Sequence, residues 1–225
     1  MMIAKAKLDL FLDVKKTKRE LSGFEKKWNE HLNTTQYSGG WTVLSLRSPG
    51  GRDTPVPDLM GEELYKDNAN MTQFSSVIEL VASLQCTVMS VRFLNLQAGS
   101  EIKPHRDRDL AFEMGEARLH FPVITNEYVE FYIDHELVRM NEGECWYINA
   151  NLEHKVANKG KTDRIHLVID CKVNDWLKEV FNKGERSEKP NTVNRALNKQ
   201  VIEALRLQNT STSNQLADKL ERESL

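Results

Sequence analysis

The sequence has little of the features that mark several specialised classes of protein. Three cysteines in 225 residues are too few and too scattered for a disulfide framework or a CxxC metal site. An odd number of cysteines without an export signal predicts a reducing compartment, and we expect the cytoplasm. No apolar run approaches the ~18 residues of a membrane-spanning helix, so we expect no membrane partner.

The chain also lacks an excess of positive charge. Its 31 lysines and arginines are offset by 33 aspartates and glutamates, which gives a net charge of −2. A nucleic-acid-binding domain typically has a basic stripe or a strongly basic chain, so we expect no nucleic-acid partner. The first 16 residues contain no uninterrupted apolar segment, and we therefore do not expect a signal peptide.

What is present is a hydrophobic content of 40%, enough for a packed core. Between 87 and 171, short β-branched runs alternate with turn signals at a spacing of roughly 8–12 residues, which is typical of a sandwich, barrel or jelly roll. The predicted strands in this part of the chain are 88–96, 119–124, 128–133, 137–140, 145–148, 155–157 and 165–170.

Other elements flank this β region. Alternation predicts strands at 4–14 and 41–47, and apolar residues at helical spacing predict helices at 15–32, 72–84 and 174–181. The predicted fold class is therefore mainly β with flanking helices.

The last forty residues differ in composition from the rest. After 184–190, a helical stripe runs from Val193 to Leu205, and a polar stretch at 208–215 predicts a loose tail. We predict one domain over 1–183, with N-terminal helices, and a helical appendage over 184–225. The appendage either packs on its own domain or forms a homodimer contact.

Two short segments of the β region carry candidate metal ligands. His105 and Asp107 are two positions apart, so on a strand their side chains would point to the same face. His154 lies between two predicted strands. Two imidazoles and one carboxylate match the facial triad of non-haem iron oxygenases. The alternative is a structural role, because an HxD sequence often occurs by chance and a single histidine more often forms hydrogen bonds than binds metal.

Two predicted strands each place an arginine and a histidine on one face. These are Arg118 with His120 and Arg164 with His166, and the alternate residues on both strands are apolar. A buried guanidinium is costly unless it is paired. One interpretation is a structural ion pair with an acidic neighbour such as Glu113, Glu116 or Asp163. The other is a fork that grips a ligand carboxylate.

In combination and in this order, these motifs resemble the aspartyl/asparaginyl β-hydroxylase family, in particular its small bacterial members, which include the proline cis-4-hydroxylases. The resemblance covers about 87–182 firmly and does not reach 184–225. The segments that carry it are 104–107 (PHRD), 118–123 (RLHFPV), 143–149 (GECWYIN), 154–158 (HKVAN) and 163–170 (DRIHLVID).

The resemblance implies a double-stranded β-helix, the jelly roll of cupins, that uses Fe(II), 2-oxoglutarate and O2. It implies His105, Asp107 and His154 as the iron ligands. It further implies that Arg164 binds the distal carboxylate of 2-oxoglutarate and that Arg118 with His120 supports this cosubstrate.

The implied activity is hydroxylation of an unactivated C–H bond, with release of succinate and CO2. For the substrate we expect a free amino acid or an amino-acid-derived small molecule. Two alternatives stay open at this point. One is a peptidyl aspartyl/asparaginyl β-hydroxylase, and the other is a cupin-like metal enzyme that does not use 2-oxoglutarate.

Candidate substrate-binding residues lie on two further strands. Arg92 alternates with apolar neighbours, so it is predicted to face the barrel mouth and meet a substrate carboxylate. Trp41 and Arg47 lie at the ends of an early strand. The alternative to substrate binding is core packing for Trp41 and a solvated strand end for Arg47. Asp109, two positions beyond Asp107, is a further candidate for the same face.

Overall fold

The computed structural model describes residues 1–55, 64–107, 110–190 and 192–223. Within these residues the chain forms fourteen strands and five α-helices. The strands are β1 (Met2–Leu8), β2 (Asn29–Glu30), β3 (Tyr37–Ser38), β4 (Trp41–Pro49), β5 (Tyr65–Asp67), β6 (Val88–Leu96), β7 (Glu101–His105), β8 (Glu116–Ile124), β9 (Val129–Ile133), β10 (Glu136–Val138), β11 (Cys145–Ile148), β12 (His154–Asn158), β13 (Arg164–Lys172) and β14 (Glu185–Lys189). The helices are α1 (Val14–Ser22), α2 (Ser75–Ser83), α3 (Asp175–Lys183), α4 (Thr192–Gln208) and α5 (Ser211–Glu223).

Two sheets contain all the strands. The large sheet has the order β14-β1-β11-β8-β13-β6-β4-β2, with β5 paired to β4, and the small sheet has the order β10-β9-β12-β7-β3. The strand pairs whose register is defined are antiparallel. The prediction of a mainly β fold with flanking helices is thereby confirmed.

The hydrophobic core lies between the large sheet and three helices. Leu119, Phe121 and Leu167 are fully buried on this outer face, as the alternation along β8 and β13 predicts. From the helices, Val77 of α2 and Phe181 of α3 pack into the same cluster. The apolar face of each central strand therefore packs against the helices, and the opposite face is directed towards the small sheet.

That opposite face of the large sheet, which we call the inner face, is unusually polar. Residues that are directly opposite on antiparallel strands share a face, and the register pairs Ser45 with Arg92, Arg92 with Val168, and Val168 with His120. On β6, β8 and β13 this face carries the charged and imidazole side chains of Arg92, Arg118, His120, Arg164, His166 and Asp170.

The helix predicted over 15–32 is wrong in its second half. Helix α1 begins after Asp13, whose side chain accepts a hydrogen bond from the Lys16 amide, and it ends at Ser22 before Gly23. The following residues form β2 as an edge strand beside β4, because pairing with an exposed sheet edge outweighs local helical spacing. The first strand is likewise shorter than predicted and ends at Leu8.

The loose tail predicted near 208–215 is also wrong. This polar stretch begins helix α5: the Thr210 hydroxyl accepts from the Ser213 amide at 3.1 Å, which is the bond of a helix N-cap. A serine- and threonine-rich sequence suits a helix start as well as a tail, and here it forms the start.

By its internal contacts the chain divides into two compact units. One comprises Ile3–Ser187, and the other comprises Met1–Met2 with Glu188–Leu225. The domain boundary at 183/184 and the homodimer through the C-terminal helices stay predictions. Among the described residues, no helix is long and apolar enough to cross a membrane.

The aromatic contact between α3 and the large sheet gives a test of the core. Phe181 is fully buried, with ring centroids 4.3 Å from Phe112 and 5.0 Å from Tyr147. Phe181→Ala is expected to lower the free energy of unfolding by ~3–5 kcal/mol, because it removes buried apolar area and leaves a cavity. Phe11→Ala is the matched control. Phe11 is 79% exposed, and its loss is expected to change stability by less than ~0.5 kcal/mol. Urea denaturation measures the free energy of unfolding, and an equal loss in Phe181→Ala and Phe11→Ala would contradict this packing.

Candidate metal and cosubstrate site

The three predicted metal ligands come together at one end of the small sheet. His105 is the last residue of β7 and lies directly opposite His154, the first residue of β12, with ring centroids 4.2 Å apart. Asp107 follows two residues after His105. One ligand atom from each of the three lies within 4.8 Å of the others, which is a spacing that one metal ion can bridge.

In both histidines one ring nitrogen, Nδ1, already forms a hydrogen bond within the protein. Nδ1 of His105 lies 2.8 Å from the Lys103 carbonyl oxygen, and Nδ1 of His154 lies 3.0 Å from the Leu152 carbonyl oxygen. A carbonyl can only accept, so Nδ1 carries the proton and the Nε2 lone pair is free. Burial, followed by the charge of His105, lowers the pKa of His154 to about 4. The imidazole is therefore neutral at neutral pH, which is the form that binds a metal.

Asp107 is positioned by a turn rather than by a strand. β7 ends at His105, so the alternation expected of a strand does not apply, and the Asp107 amide instead donates to the Ala150 carbonyl at 2.9 Å. Its Oδ1 lies 3.8 Å from Nε2 of His105. Burial raises the pKa of Asp107, but the Arg118 guanidinium together with His154 and His105 brings it below its usual value, so the carboxylate is ionised at neutral pH.

The donor set fits a divalent transition metal. Two imidazoles and one carboxylate with open positions are the ligands of mononuclear non-haem iron sites. Asp109, the other candidate for this face, lies outside the described residues.

Arg118 and Arg92 are paired with a buried carboxylate. Asp170 accepts from Nε of Arg118 at 2.7 Å and from Nη2 at 3.1 Å, and from Nη1 of Arg92 at 2.9 Å. Nη1 of Arg118 donates to Asp107 at 2.5 Å. The acid expected beside Arg118 or Arg164 was Glu113, Glu116 or Asp163, but those carboxylates bond elsewhere.

Arg164 differs from the other two arginines. It is 2% exposed, and no described carboxylate lies within ion-pair distance of it. Its Nη2 lies 2.9 Å from Nδ1 of His166, and its Nε is buried and has no hydrogen-bond partner in the described part of the chain. Burial lowers the pKa of Arg164 to about 9. A charged group in this position needs an anion.

On the inner face His120 lies between the Arg118–Asp170 pair and Arg164. Its ring is 6.0 Å from that of Phe131 and 5.9 Å from that of His166, and its Nδ1 is buried without a partner among the described residues. Burial, followed by the charge of Arg164, holds the pKa of His120 well below its usual value. His120 is therefore a neutral hydrogen-bonding group.

A cavity leads to Arg164 from the surface. Its volume is about 460 Å³, and Arg164 and His166 form part of its wall together with Phe131. The guanidinium also lies 5.8 Å from the Phe131 ring, and that ring stacks on His154 at 6.4 Å. Phe131 is thus a neighbour of both the Arg164 cation and the candidate metal ligand His154.

The three predicted substrate residues have different surroundings. Trp41 is buried in the same cross-strand row as Arg164, and its indole nitrogen has no described partner. Arg92 is on the inner face, bound to Asp170. Arg47 donates to Asp67 on β5 at 2.6 Å, at the end of the large sheet.

Two residues of this region were not predicted from the sequence. Asp170 could have been found, because it continues the two-residue period of Arg164 and His166 along β13. His31 could not, because the spacing around it favoured a helix. It stacks on Trp41 with ring centroids 3.4 Å apart, and burial, followed by the charge of Arg92, lowers its pKa to about 4.

Comparison with known proteins agrees with this arrangement. The family model described as Aspartyl/Asparaginyl beta-hydroxylase matches residues 12–173. An L-proline cis-4-hydroxylase of Rhizobium meliloti (strain 1021) is 32% identical over 83 residues, which make up 37% of this chain and 29% of that enzyme. The match thus spans less than a third of that relative's length.

A solved structure is also similar. It is an oxidoreductase of the 2OG-Fe(II) oxygenase family from Burkholderia pseudomallei, with a TM-score of 0.52 and 9% sequence identity over 71% of this chain and 78% of that one. At this identity the similarity shows the fold alone, and it confirms the predicted jelly roll.

The tautomers of the two histidines predict where a metal binds. His105→Ala and His154→Ala are each expected to weaken Co²⁺ binding by more than ~100-fold, since loss of a ligand exceeds the 10–100-fold effect of residues that only support ligands. Absorption titration of purified protein measures this. His135→Ala is the control, because His135 is exposed in the turn between β9 and β10. Wild-type affinity in the His154 variant would rule out this site.

Proposed function

The chain belongs to the aspartyl/asparaginyl β-hydroxylase family, and on that premise we propose that it is an Fe(II)- and 2-oxoglutarate-dependent hydroxylase of a free amino acid or amino-acid-derived small molecule. The products would be the hydroxylated substrate, succinate and CO2. The observation that supports this most is the buried guanidinium of Arg164, which has no carboxylate partner among the described residues.

2-Oxoglutarate matches the two halves of the site. Its 2-oxo acid end is a bidentate metal chelator, and its other end is a second carboxylate. Arg164 would bind that distal carboxylate in a low-dielectric environment, where a charge-assisted hydrogen bond is strong. Neutral His120 adds hydrogen bonding without a competing charge.

The metal would be held by Nε2 of His105, Nε2 of His154 and Oδ1 of Asp107. Bound Fe(II) would supply the O2 chemistry and C–H oxidation that amino-acid side chains cannot perform. Arg118 uses three of its five donors on Asp107 and Asp170. The other two are available to the cosubstrate.

The charge balance favours a substrate with a carboxylate. Arg92 and Arg118 are balanced by Asp107 and Asp170, so Fe(II) and Arg164 contribute three positive charges, of which 2-oxoglutarate neutralises two. The remaining positive charge suits the carboxylate of an amino acid. Nη1 of Arg92 is bound to Asp170. We assign the other N–H donors of Arg92 to the substrate carboxylate.

The other end of the substrate would meet an uncharged aromatic wall. His31 and Trp41 form a parallel stack, and the unpartnered indole N–H of Trp41 can donate to a substrate oxygen. Arg47 would have to leave Asp67 to reach the substrate. Since the partial relative is named for L-proline, we take L-proline as the first substrate to test.

The direct experiment measures succinate release by the purified protein with Fe(II), 2-oxoglutarate and O2. L-Proline, the other amino acids and peptides containing aspartate or asparagine are compared as substrates. We expect stimulation by a free amino acid, with mass spectrometry showing the gain of one oxygen. Stimulation by peptides alone would identify a peptidyl hydroxylase, and turnover without 2-oxoglutarate would identify a different metal enzyme.

A variant of Arg164 tests its role in the same assay. Arg164→Met keeps the length and apolar stem but removes the charge, and we expect the KM for 2-oxoglutarate to rise by ~100-fold, as for other buried charge pairs. Arg19→Met is the control, because Arg19 is exposed on α1. An unchanged KM in the Arg164 variant would contradict the assignment.

A further inference from the structure

We propose that Asp170 is a positioning residue of the metal centre, acting through Arg118 to present Oδ1 of Asp107 to the metal. This inference rests on the proposed function, because it assigns a role relative to the metal that His105, Asp107 and His154 would bind. Asp170 itself touches none of those three ligands in any described contact, so its effect must pass through Arg118.

The two oxygens of Asp107 are in different environments. Oδ2 accepts from Nη1 of Arg118 at 2.5 Å, whereas Oδ1 lies 3.8 Å from Nε2 of His105, a neighbouring candidate ligand. A carboxylate with one oxygen held by a donor binds a metal through the other oxygen. Arg118 thereby sets which oxygen faces the metal and at what angle.

Arg118 is in turn held by Asp170. The carboxylate accepts from Nε and Nη2 of the same guanidinium, which is the bidentate geometry that fixes its plane. Behind it, Asp170 also accepts from Arg92 at 2.9 Å and from the Ser90 hydroxyl at 2.8 Å. Four donors on one buried carboxylate leave it little freedom to move.

This arrangement links a loop ligand to the centre of the sheet. Asp107 lies beyond the end of β7, and its described backbone anchor is one hydrogen bond to Ala150. Asp170 lies on β13, which is paired on both sides by β6 and β8. The loop carboxylate therefore takes its orientation from a rigid strand through one guanidinium.

Charge gives Asp170 a second effect on metal binding. Arg92 and Arg118 are both beside it, and without its negative charge two cations would remain close to a site that takes a dication. Arg118 would then be paired only with Asp107 and would compete with the metal for that carboxylate. Loss of the Asp170 charge should therefore weaken metal binding by both routes.

The alternative is that Asp170 only stabilises the fold as a buried ion-pair partner. Glu144→Gln provides the matched control for this role. Glu144 is also a largely buried carboxylate, 16% exposed, and it pairs with Lys7 at 2.7 Å and accepts from the Trp146 indole at 2.8 Å. It has no described contact with Asp107, Arg118 or either metal-binding histidine.

The test is the affinity for Co²⁺, measured by absorption titration of the full chain, with thermal unfolding recorded for every variant. We expect Asp170→Asn to weaken Co²⁺ binding by ~10–100-fold, the range for residues that orient metal ligands, and Glu144→Gln to leave it unchanged. Ser90→Ala removes one donor to Asp170 and should weaken binding by a smaller factor. If Asp170→Asn does not fold, Ser90→Ala still tests whether the contacts of Asp170 affect metal binding.

A double-mutant cycle separates positioning from simple stabilisation. In an Asp107→Ala background, Asp170→Asn should weaken Co²⁺ binding less than it does in the wild-type background, because the carboxylate it positions is gone. Equal factors in the two backgrounds would contradict the proposal, as would wild-type affinity in Asp170→Asn and in Ser90→Ala. Either result with normal 2-oxoglutarate turnover by the wild type would leave the proposed function intact. A wild type that binds no Co²⁺ would overturn both.

Discussion

The inner face of the large sheet carries charge into a region from which water is largely excluded, and the way each charge is compensated organises the site. Arg92 and Arg118 share the carboxylate of Asp170, and Arg118 also pairs with Asp107, so two arginines and two aspartates balance within the protein. Arg164 has a histidine neighbour and no described carboxylate. Burying an unpaired guanidinium is unfavourable, so the fold accepts an energetic cost at Arg164 that a bound dicarboxylate would offset.

This difference divides the inner face into two parts with separate tasks. The balanced cluster is rigid, and it lies against Asp107 at the metal-binding end. The unbalanced arginine lies in the wall of a cavity, and the ring of Phe131 lies beside both Arg164 and His154. A ligand that chelates a metal at one end and carries a carboxylate at the other would satisfy both parts at once.

Much of this could be predicted from the sequence, because it follows from two-residue alternation. The apolar residues of β8 and β13 required one face of each strand for the core, which left Arg118, His120 and Arg164 for the other. The pattern of His105, Asp107 and His154 likewise predicted three candidate ligands, and these lie together in the structure. The carboxylate that pairs with Arg92 and Arg118 was not predicted, although Asp170 continues the same alternation, because the acids expected as partners were ones at or just beyond the strand ends.

The remaining features depend on tertiary contacts that periodicity does not report. His31 follows a stretch with helical spacing, but the edge of β4 recruits this segment into β2 and brings the imidazole onto Trp41. Asp107 reaches the metal site from a turn that is held by Ala150, a partner more than forty residues away. Two-residue alternation therefore does not place Asp107, because β7 ends at His105.

The central claim is that Arg164 is reserved for the second carboxylate of a 2-oxo diacid. The most direct measurement is anaerobic calorimetric titration of the Co²⁺-loaded protein with 2-oxoglutarate and with 2-oxopentanoate, which has the same chain length and chelating end but no distal carboxylate. The account predicts that 2-oxoglutarate binds ~100-fold more tightly, a difference of about 2.7 kcal/mol. Equal affinities for the two acids would contradict it.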